Sequence, residues 1–474
     1  MAMAAPVKKT SRKWLVALGV VVVVLIAGTV GAFALRRQGP SYPSEWDGRI
    51  LPIVHFDEQE RGMVFKHPVQ VLFMSPKAFD KTVTTSSDSL SAKDKQDIQN
   101  QEATMRALGL IDGKVDLFKE ENGLNQNGIL AYYDDHDKKV RVKGTDLTPD
   151  VRVTLAHELT HALQDQYFDL HKEETLPDDS AQAFRSVIEG DAVVVQDAYA
   201  AQMSQADQDS YNKAESQGSD QAYSNVPDIL VAQDAEPYIV GPAFVGALKD
   251  KGGNSAIDDA LRNPPASTAA LMNLFTYLDQ SSSTAPTLPA LTLPAGAKRA
   301  DDGDNTFGAL QWYLLLARRL NVHDALTAVD GWHSDTSLAY REPSGLVCID
   351  AEYQGTTAAA TSSMKTLLDR WKAVGPSPDT TVTTKGDTVE LHACDPGTSV
   401  KLTGTDRSSD ALEVVAARLE LGGVLLKQGL PQTTAQCASA GTIDRLTIDQ
   451  IVSQDDSAQQ ADQDAVTQAV AACH

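Results

Sequence analysis

His157-Glu158-Leu159-Thr160-His161 is a run whose residue types and spacing spell out a reaction. A spacing of four puts both imidazoles on one face of a helix, one turn apart, where two neutral rings can grip one Zn²⁺ at about 2.0–2.1 Å. Glu158 lies beside the first of them, within reach of a water on that metal. One rigid turn thus supplies two ligands and a general base. Zinc would acidify the water and polarise a scissile carbonyl, and Glu158 would take the water proton and hand it to the leaving amine. A catalytic zinc needs a third protein ligand and an open fourth position. Glu189, in the stretch Val187-Ile188-Glu189-Gly190-Asp191-Ala192, sits on an otherwise apolar helical segment, where an unpaired carboxylate is costly and a metal would resolve the cost. Two rival readings stand beside it: Glu189 pairs with Arg185 one turn earlier, or Asp165, Asp169, His171 or Glu173 bends back onto the metal. The other histidines singled out, His136, His171, His323, His333 and His392, read as surface or satisfied.

The elements that must position these residues are legible around them. Thr148 is an N-cap candidate, Pro149 suits the first helical position and Asp150 the positive helix end. Val151, Leu155, Leu159, Ala162 and Leu163 form an apolar stripe at helical spacing, so a helix is expected to about Tyr167. A second helix is expected from Asp179 or Ser180 to about Met203, with Phe184, Val187, Ile188 and Val195 on its buried face. Upstream, Leu51–Phe56 and Val69–Phe73 read as strands, Ser87–Leu108 as helix-permissive, and Gly128–Tyr133 with Lys139–Lys143 as a hairpin. Residues 204–226 read as loop or frayed helix. Further helices are expected near 241–251, 267–278 and 306–320, an extended crossing segment at 281–296, and a β-α-β texture from about 340.

Composition narrows the partners. The chain has 474 residues, 42% hydrophobic and 22% charged, which excludes a disordered or collagen-like polymer. Its net charge is −23, and beyond residue 37 there are 35 basic residues against 64 acidic ones. A body that acidic is repelled by phosphate backbones, so no nucleic-acid partner is expected. Trp14–Leu35 is a run of 22 uncharged residues, long enough at about 1.5 Å per residue to cross a hydrocarbon core of about 30 Å. Lys8, Lys9, Arg12 and Lys13 precede it, which orients the N-terminus to the cytoplasm and the body outside. A cleaved signal peptide ending at Ala32-Phe33-Ala34 is the alternative, and it too exports the body. The four cysteines, Cys348, Cys394, Cys437 and Cys473, would then pair. Of three connectivities, Cys348–Cys394 with Cys437–Cys473 is the one expected.

With these residues in hand the chain resembles the gluzincins, zinc metallopeptidases with HExxH and a glutamate on a second helix. Closer still is its resemblance to bacterial membrane-anchored, predicted metallopeptidases that carry LAHELTHALQDQ followed by EGDA, here Leu155–Gln166 and Glu189–Ala192. The metzincin continuation would need Gly at 164 and His at 167, where Gln164 and Tyr167 stand, and the upstream cysteine ligand of the deformylases is missing before Cys348. Further shared strings are Glu60-Arg61-Gly62, Pro237-Tyr238 with Gly241, Pro264-Pro265-x-Ser267-Thr268 and Gly331-Trp332, so the likeness spans about residues 50–335.

The resemblance implies an α+β, zincin-like domain with a mixed sheet and active-site helices. It implies one Zn²⁺ per chain held by His157, His161 and Glu189, Glu158 as base, and a protein or peptide substrate that adds to an edge strand. Val193 stands where thermolysin-like sites carry a histidine-orienting Asp, which leaves that role to Asp191 or Asp165. Tyr238 and Tyr199 are the candidate oxyanion donors. The expected organisation is a cytoplasmic tail (1–13), a transmembrane helix (14–35), a linker (36–50), a metallopeptidase domain (51–335) and a disulfide-bearing α/β C-terminal region (336–474). The rival function is a catalytically silent zinc-binding ectodomain serving as a binding or scaffold module. An intact Glu158 argues against it, since a purely structural zinc needs no base.

Overall fold

A computed structural model describes residues 42–473, apart from 224–225, 280–285, 302, 304–305, 376, 378, 404 and 454–455. The expected membrane span 14–35 lies outside the described residues, as does part of the 36–50 linker. Among the described residues no helix is long and apolar enough to cross a membrane.

The first element corrects an expectation. Residues Leu51–Arg61 form a helix (α1), not a strand at Leu51–Phe56. A short β-branched run is ambiguous by itself. Here Pro52 occupies the first turn, Gly62 ends the helix in the left-handed region at φ 65°, and the buried positions Ile53, Val54, Asp57 and Arg61 repeat at helical spacing. Strand β1 (Gln70–Met74) then leads through α2 (Pro76–Val83) to α3 (Ala92–Ala107), which opens on a capping box between Ser91 and Asp94. Helix α4 (Leu117–Gly128) takes the first residue of the expected hairpin, leaving β2 at Ala131–Asp134 and β3 at Lys139–Lys143. Val140 and Val142 alternate inward along β3. The small sheet has the order β1-β3-β2, with β1 parallel and β2 antiparallel to β3, so β2 is an edge.

Two long helices follow. Helix α5 (Pro149–Phe168) begins where expected, although Thr148 makes no side-chain cap bond, and α6 runs Asp178–Gln202. Residues read as loop or frayed helix form α7 (Gln205–Tyr223). Its apolar signal is weak because side-chain bonds hold it: Gln208 donates to the carbonyls of Ala201 and Met203 at the end of α6, and Arg152 of α5 pairs with Asp207 at 3.1 Å. Helix α8 (Asp228–Arg262) is far longer than the expected 241–251, because Pro237 and Pro242 lie inside it and disguise it; it kinks at Gly253, φ 65°. The helix expected at 267–278 is two, α9 (Thr268–Met272) and α10 (Leu274–Asp279), broken at Asn273, whose carboxamide oxygen accepts the Phe275 N–H at 3.1 Å.

The rest of the chain comprises β4 (Lys298–Arg299), α11 (Ala309–Ala317), α12 (Val322–Asp330), β5 (Trp332–Arg341), β6 (Val347–Gly355), α13 (Ala358–Ala373), β7 (Thr381–Lys385) and β8 (Thr388–Cys394), then α14 (Ser408–Lys427), α15 (Gln432–Ile443), α16 (Ile448–Val452) and α17 (Asp456–Ala472). The second sheet is antiparallel in the order β4-β5-β6-β8-β7. The fold is therefore α+β with two sheets. Both expected disulfides are present: Cys348–Cys394 joins facing residues of β6 and β8, and Cys437–Cys473 ties α15 to the end of α17. The boundary expected at 335/336 falls inside β5, and one apolar core continues from Met105 through α8 and α14 to Ala465.

Helices α6 and α8 cross at two glycines. A Cβ on Gly190 would lie 2.3 Å from the Gly241 backbone, and one on Gly241 would lie 2.2 Å from the Ser186 carbonyl oxygen. The backbones touch because neither residue has a side chain. Gly190→Ala is therefore expected to destabilise the fold by at least about 1–3 kcal/mol through overpacking. Gly246 lies on the same α8 with open space around it, so Gly246→Ala should stabilise by about 0.5–1 kcal/mol. Urea denaturation of the two variants checks the contrast; equal effects would refute the crossing.

Candidate metal centre

From Leu155 to Gln164 every residue of α5 is buried. The helix lies between the small sheet on one side and α6 on the other, so its polar side chains must find partners within the protein. His157 and His161 find them in Glu189. His157 Nε2 is 3.1 Å from Glu189 Oε2, His161 Nε2 is 3.2 Å from the same oxygen, and the two ring nitrogens are 3.0 Å apart. All three side chains are almost wholly shielded from solvent.

The next layer settles which nitrogen of His161 faces inward. Gln164 donates its amide to the Ile188 carbonyl at 3.0 Å and to Asp191 at 2.8 Å, which turns its oxygen toward His161 Nδ1 at 3.0 Å. That oxygen can only accept, so Nδ1 carries the hydrogen and the Nε2 lone pair faces His157 and Glu189. Asp191 in turn receives buried Arg61 at 2.9 Å, and Arg61 reaches on to Asp258 at 2.7 Å. Gln196, two turns along α6 from Glu189 on the same face, lies beside His157. Three acceptor-capable atoms at 3.0–3.2 Å repel unless a cation lies among them. A tetrahedral site with ligand bonds of about 2.0–2.1 Å has edges of about 3.3–3.4 Å, so this donor set fits a zinc-sized ion.

Without such an ion a proton takes the cation's part. Burial works against charging His161, but Glu189 and Glu158 outweigh it and push the ring up to about 9, while burial holds His157 below its ordinary value. Burial would raise Glu189, yet the two imidazoles bring it down to about 2. Glu158 is pushed up to about 8, mainly by burial, with His161 pulling the other way. Its Oε2 accepts the Tyr133 backbone N–H of edge strand β2 at 2.7 Å.

The rival ligands go elsewhere. Asp165 takes the Tyr133 hydroxyl at 2.7 Å and Lys138 at 2.5 Å, which also removes it as the residue orienting a histidine. That role belongs to Gln164, with Asp191 holding Gln164 in place. Glu173 binds Arg185 Nε at 2.8 Å, so Arg185 is paired with Glu173 and not with Glu189. His171 turns to Asp135 and Glu174, and Asp169 ends α5 in the left-handed region at φ 51°. Of the two tyrosines, Tyr238 neighbours His157 with ring centres 6.3 Å apart. Tyr199 packs edge-on against Phe56 of α1, in the core behind α5, with ring centres 5.2 Å apart.

Residues that pattern reading did not single out for the site are Gln164, Gln196, Arg61 and Tyr133. Only Gln164 carried a local signal, at i+3 from His161. Comparison with family models, curated proteins and solved structures finds no match to this chain.

Glu189→Ala is expected to lose most zinc affinity, while Arg185→Ala, which breaks only the Glu173 pair, leaves it nearly intact; zinc titration of both variants decides. Zinc requires a neutral His161, whereas the metal-free ring at about 9 holds a proton at neutral pH. Binding therefore releases a proton, and affinity rises with pH until about pH 9. Calorimetry in buffers of different ionisation enthalpy measures that release; affinity flat above pH 7, the range of an ordinary histidine at about 6.5, contradicts it.

Proposed function

We propose that this chain is a membrane-anchored, extracytoplasmic zinc-dependent peptidase. The observation that carries the reading is the buried convergence of His157, His161 and Glu189 with Glu158 beside them on the same turn. Zinc, when bound, supplies a Lewis acid for a carbonyl oxygen and for water. The chain's own residues do the rest. Glu158 is a base whose proton affinity burial has raised to about 8, near the range in which a group both takes and gives a proton at neutral pH. It accepts the proton of the attacking water and returns it to the leaving amine nitrogen.

Substrate alignment follows from β2. Tyr133 N–H points outward from the sheet to Glu158, and Ala131, two residues before it, presents its backbone to the same edge. An extended peptide pairing with that edge lies across the HExxH turn, with its carbonyl beside Glu158. Tyr238, beside His157, is the donor available to a developing oxyanion. Two disulfides support an exported body.

Glu158→Gln removes the base and no ligand. It is expected to keep zinc content and thermal stability and to lose hydrolysis of a general peptide substrate by about 10²–10⁴-fold. A Glu158→Gln enzyme with wild-type turnover would overturn the assignment. A wild-type protein that binds zinc and cleaves nothing in a proteome-wide peptide screen would favour the scaffold role.

A further inference from the structure

Two more imidazoles and two more carboxylates meet on the surface. Asp135 and His136 come from the β2–β3 turn, and His171 and Glu174 come from the short 3₁₀ segment Leu170–Thr175 after α5. One donor atom from each lies within 4.8 Å of every other. His136 Nδ1 is 3.0 Å from Asp135 Oδ1 and its Nε2 is 3.6 Å from Glu174 Oε1. His171 Nδ1 is 3.3 Å from Asp135 Oδ2 and 3.6 Å from Glu174 Oε1, and the two rings are 4.8 Å apart. Both carboxylates thus face both rings, and among the described residues these histidines are their ion partners. A further Cys348, His392, Cys394 group does not compare, because its sulfurs are bonded to each other.

We infer that Asp135, His136, His171 and Glu174 form a second metal site, taking a first-row transition dication such as zinc. Two imidazoles select such ions over calcium or magnesium, which prefer all-oxygen shells. The four side chains converge from segments 35 residues apart in sequence (136 and 171), so one ion there ties the turn to the end of the zinc helix. All four are partly exposed, from 32% for Asp135 to 67% for His136, so water completes the shell and the ion exchanges freely. The turn is prepared for this: Asp134 accepts the His136 and Asp137 N–H groups at 3.0 and 3.2 Å and fixes the loop. The consequence is local stiffening of β2, whose Tyr133 holds Glu158. The inference stands whether or not the buried centre is catalytic.

The test uses the full chain, purified in detergent, stripped of metal and dialysed against zinc at micromolar concentration. Wild type is expected to hold about two zinc per chain, His136→Ala/His171→Ala about one, and His157→Ala/His161→Ala about one. Cobalt added to the His157→Ala/His161→Ala protein should give visible absorption that disappears with Asp135→Asn/Glu174→Gln, a pair of surface changes that leave the fold intact. Wild-type zinc content in His136→Ala/His171→Ala, or none in His157→Ala/His161→Ala with its thermal unfolding unchanged, would overturn the second site.

Discussion

A carboxylate with almost no solvent access is the constraint around which this protein is organised. Glu189 has 1% of its side chain exposed and faces two buried imidazoles, His157 at 1% and His161 at 7%. A charge so placed survives only with opposite charge and hydrogen bonds in fixed geometry. The surrounding architecture supplies that fixity. Gly190 lets α8 press directly on α6 beside the carboxylate. Asp179, in the first turn of α6, takes the Thr268 N–H at 3.1 Å and so anchors the helix to α9. Arg61, buried with Asp191, locks α1 to α6 and sets Gln164 against His161. Removing one partner of a buried pair such as Arg61–Asp191 leaves the other charge stranded, at a cost of about 3–5 kcal/mol.

The same arrangement separates two roles within one helical turn. His157 and His161 point to α6, while Glu158 points to the sheet and is held by the backbone of β2. The positions of the proposed ligands therefore depend on helix packing, and that of the proposed base on an edge strand. The strand is itself held by side chains, since Tyr133 is tied through its hydroxyl to Asp165 and Asp165 is tied to Lys138 in the turn. Any change that moves the β2–β3 turn reaches Glu158 without touching the histidines.

Several of the short strings on which the expected resemblance rests are struts. In Glu60-Arg61-Gly62, Glu60 pairs with Lys249 of α8 at 2.6 Å, Arg61 pairs with Asp191, and Gly62 turns the chain at φ 65°. Ser267 caps α9, accepting the Ala270 N–H at 3.3 Å, and Thr268 meets Asp179. Trp332 donates its indole N–H to Asp335 at 2.9 Å, as does Trp312, and the same buried carboxylate takes the Phe307 and Gly308 N–H groups at 2.9 and 2.8 Å. None of these residues touches the histidines, yet the first two strings hold the helix that carries Glu189.

The sequence alone determined the features that depend on local periodicity: the HExxH helix and its start, the helix bearing Glu189, and the hairpin; for the four cysteines it left three connectivities open, and the fold selects Cys348–Cys394 with Cys437–Cys473. Those signals lie within one or two turns of the chain, where helix and strand repeats and cap residues act. It misread Leu51–Phe56, where a β-branched run suits either state and the buried stripe of α1 decides. It missed α7, whose support comes from side chains of other helices, and the full length of α8, whose two prolines hide it. Tertiary structure alone brought Glu189 to His157 and His161 and Asp165, His171 and Glu173 to other partners, sent Arg185 to Glu173, set Gln164 against His161, and brought His136 to His171. Like the crossing of α6 and α8 at two glycines 51 positions apart (190 and 241), these placements depend on which surfaces meet in the folded chain, and such contacts leave no periodic trace in the sequence.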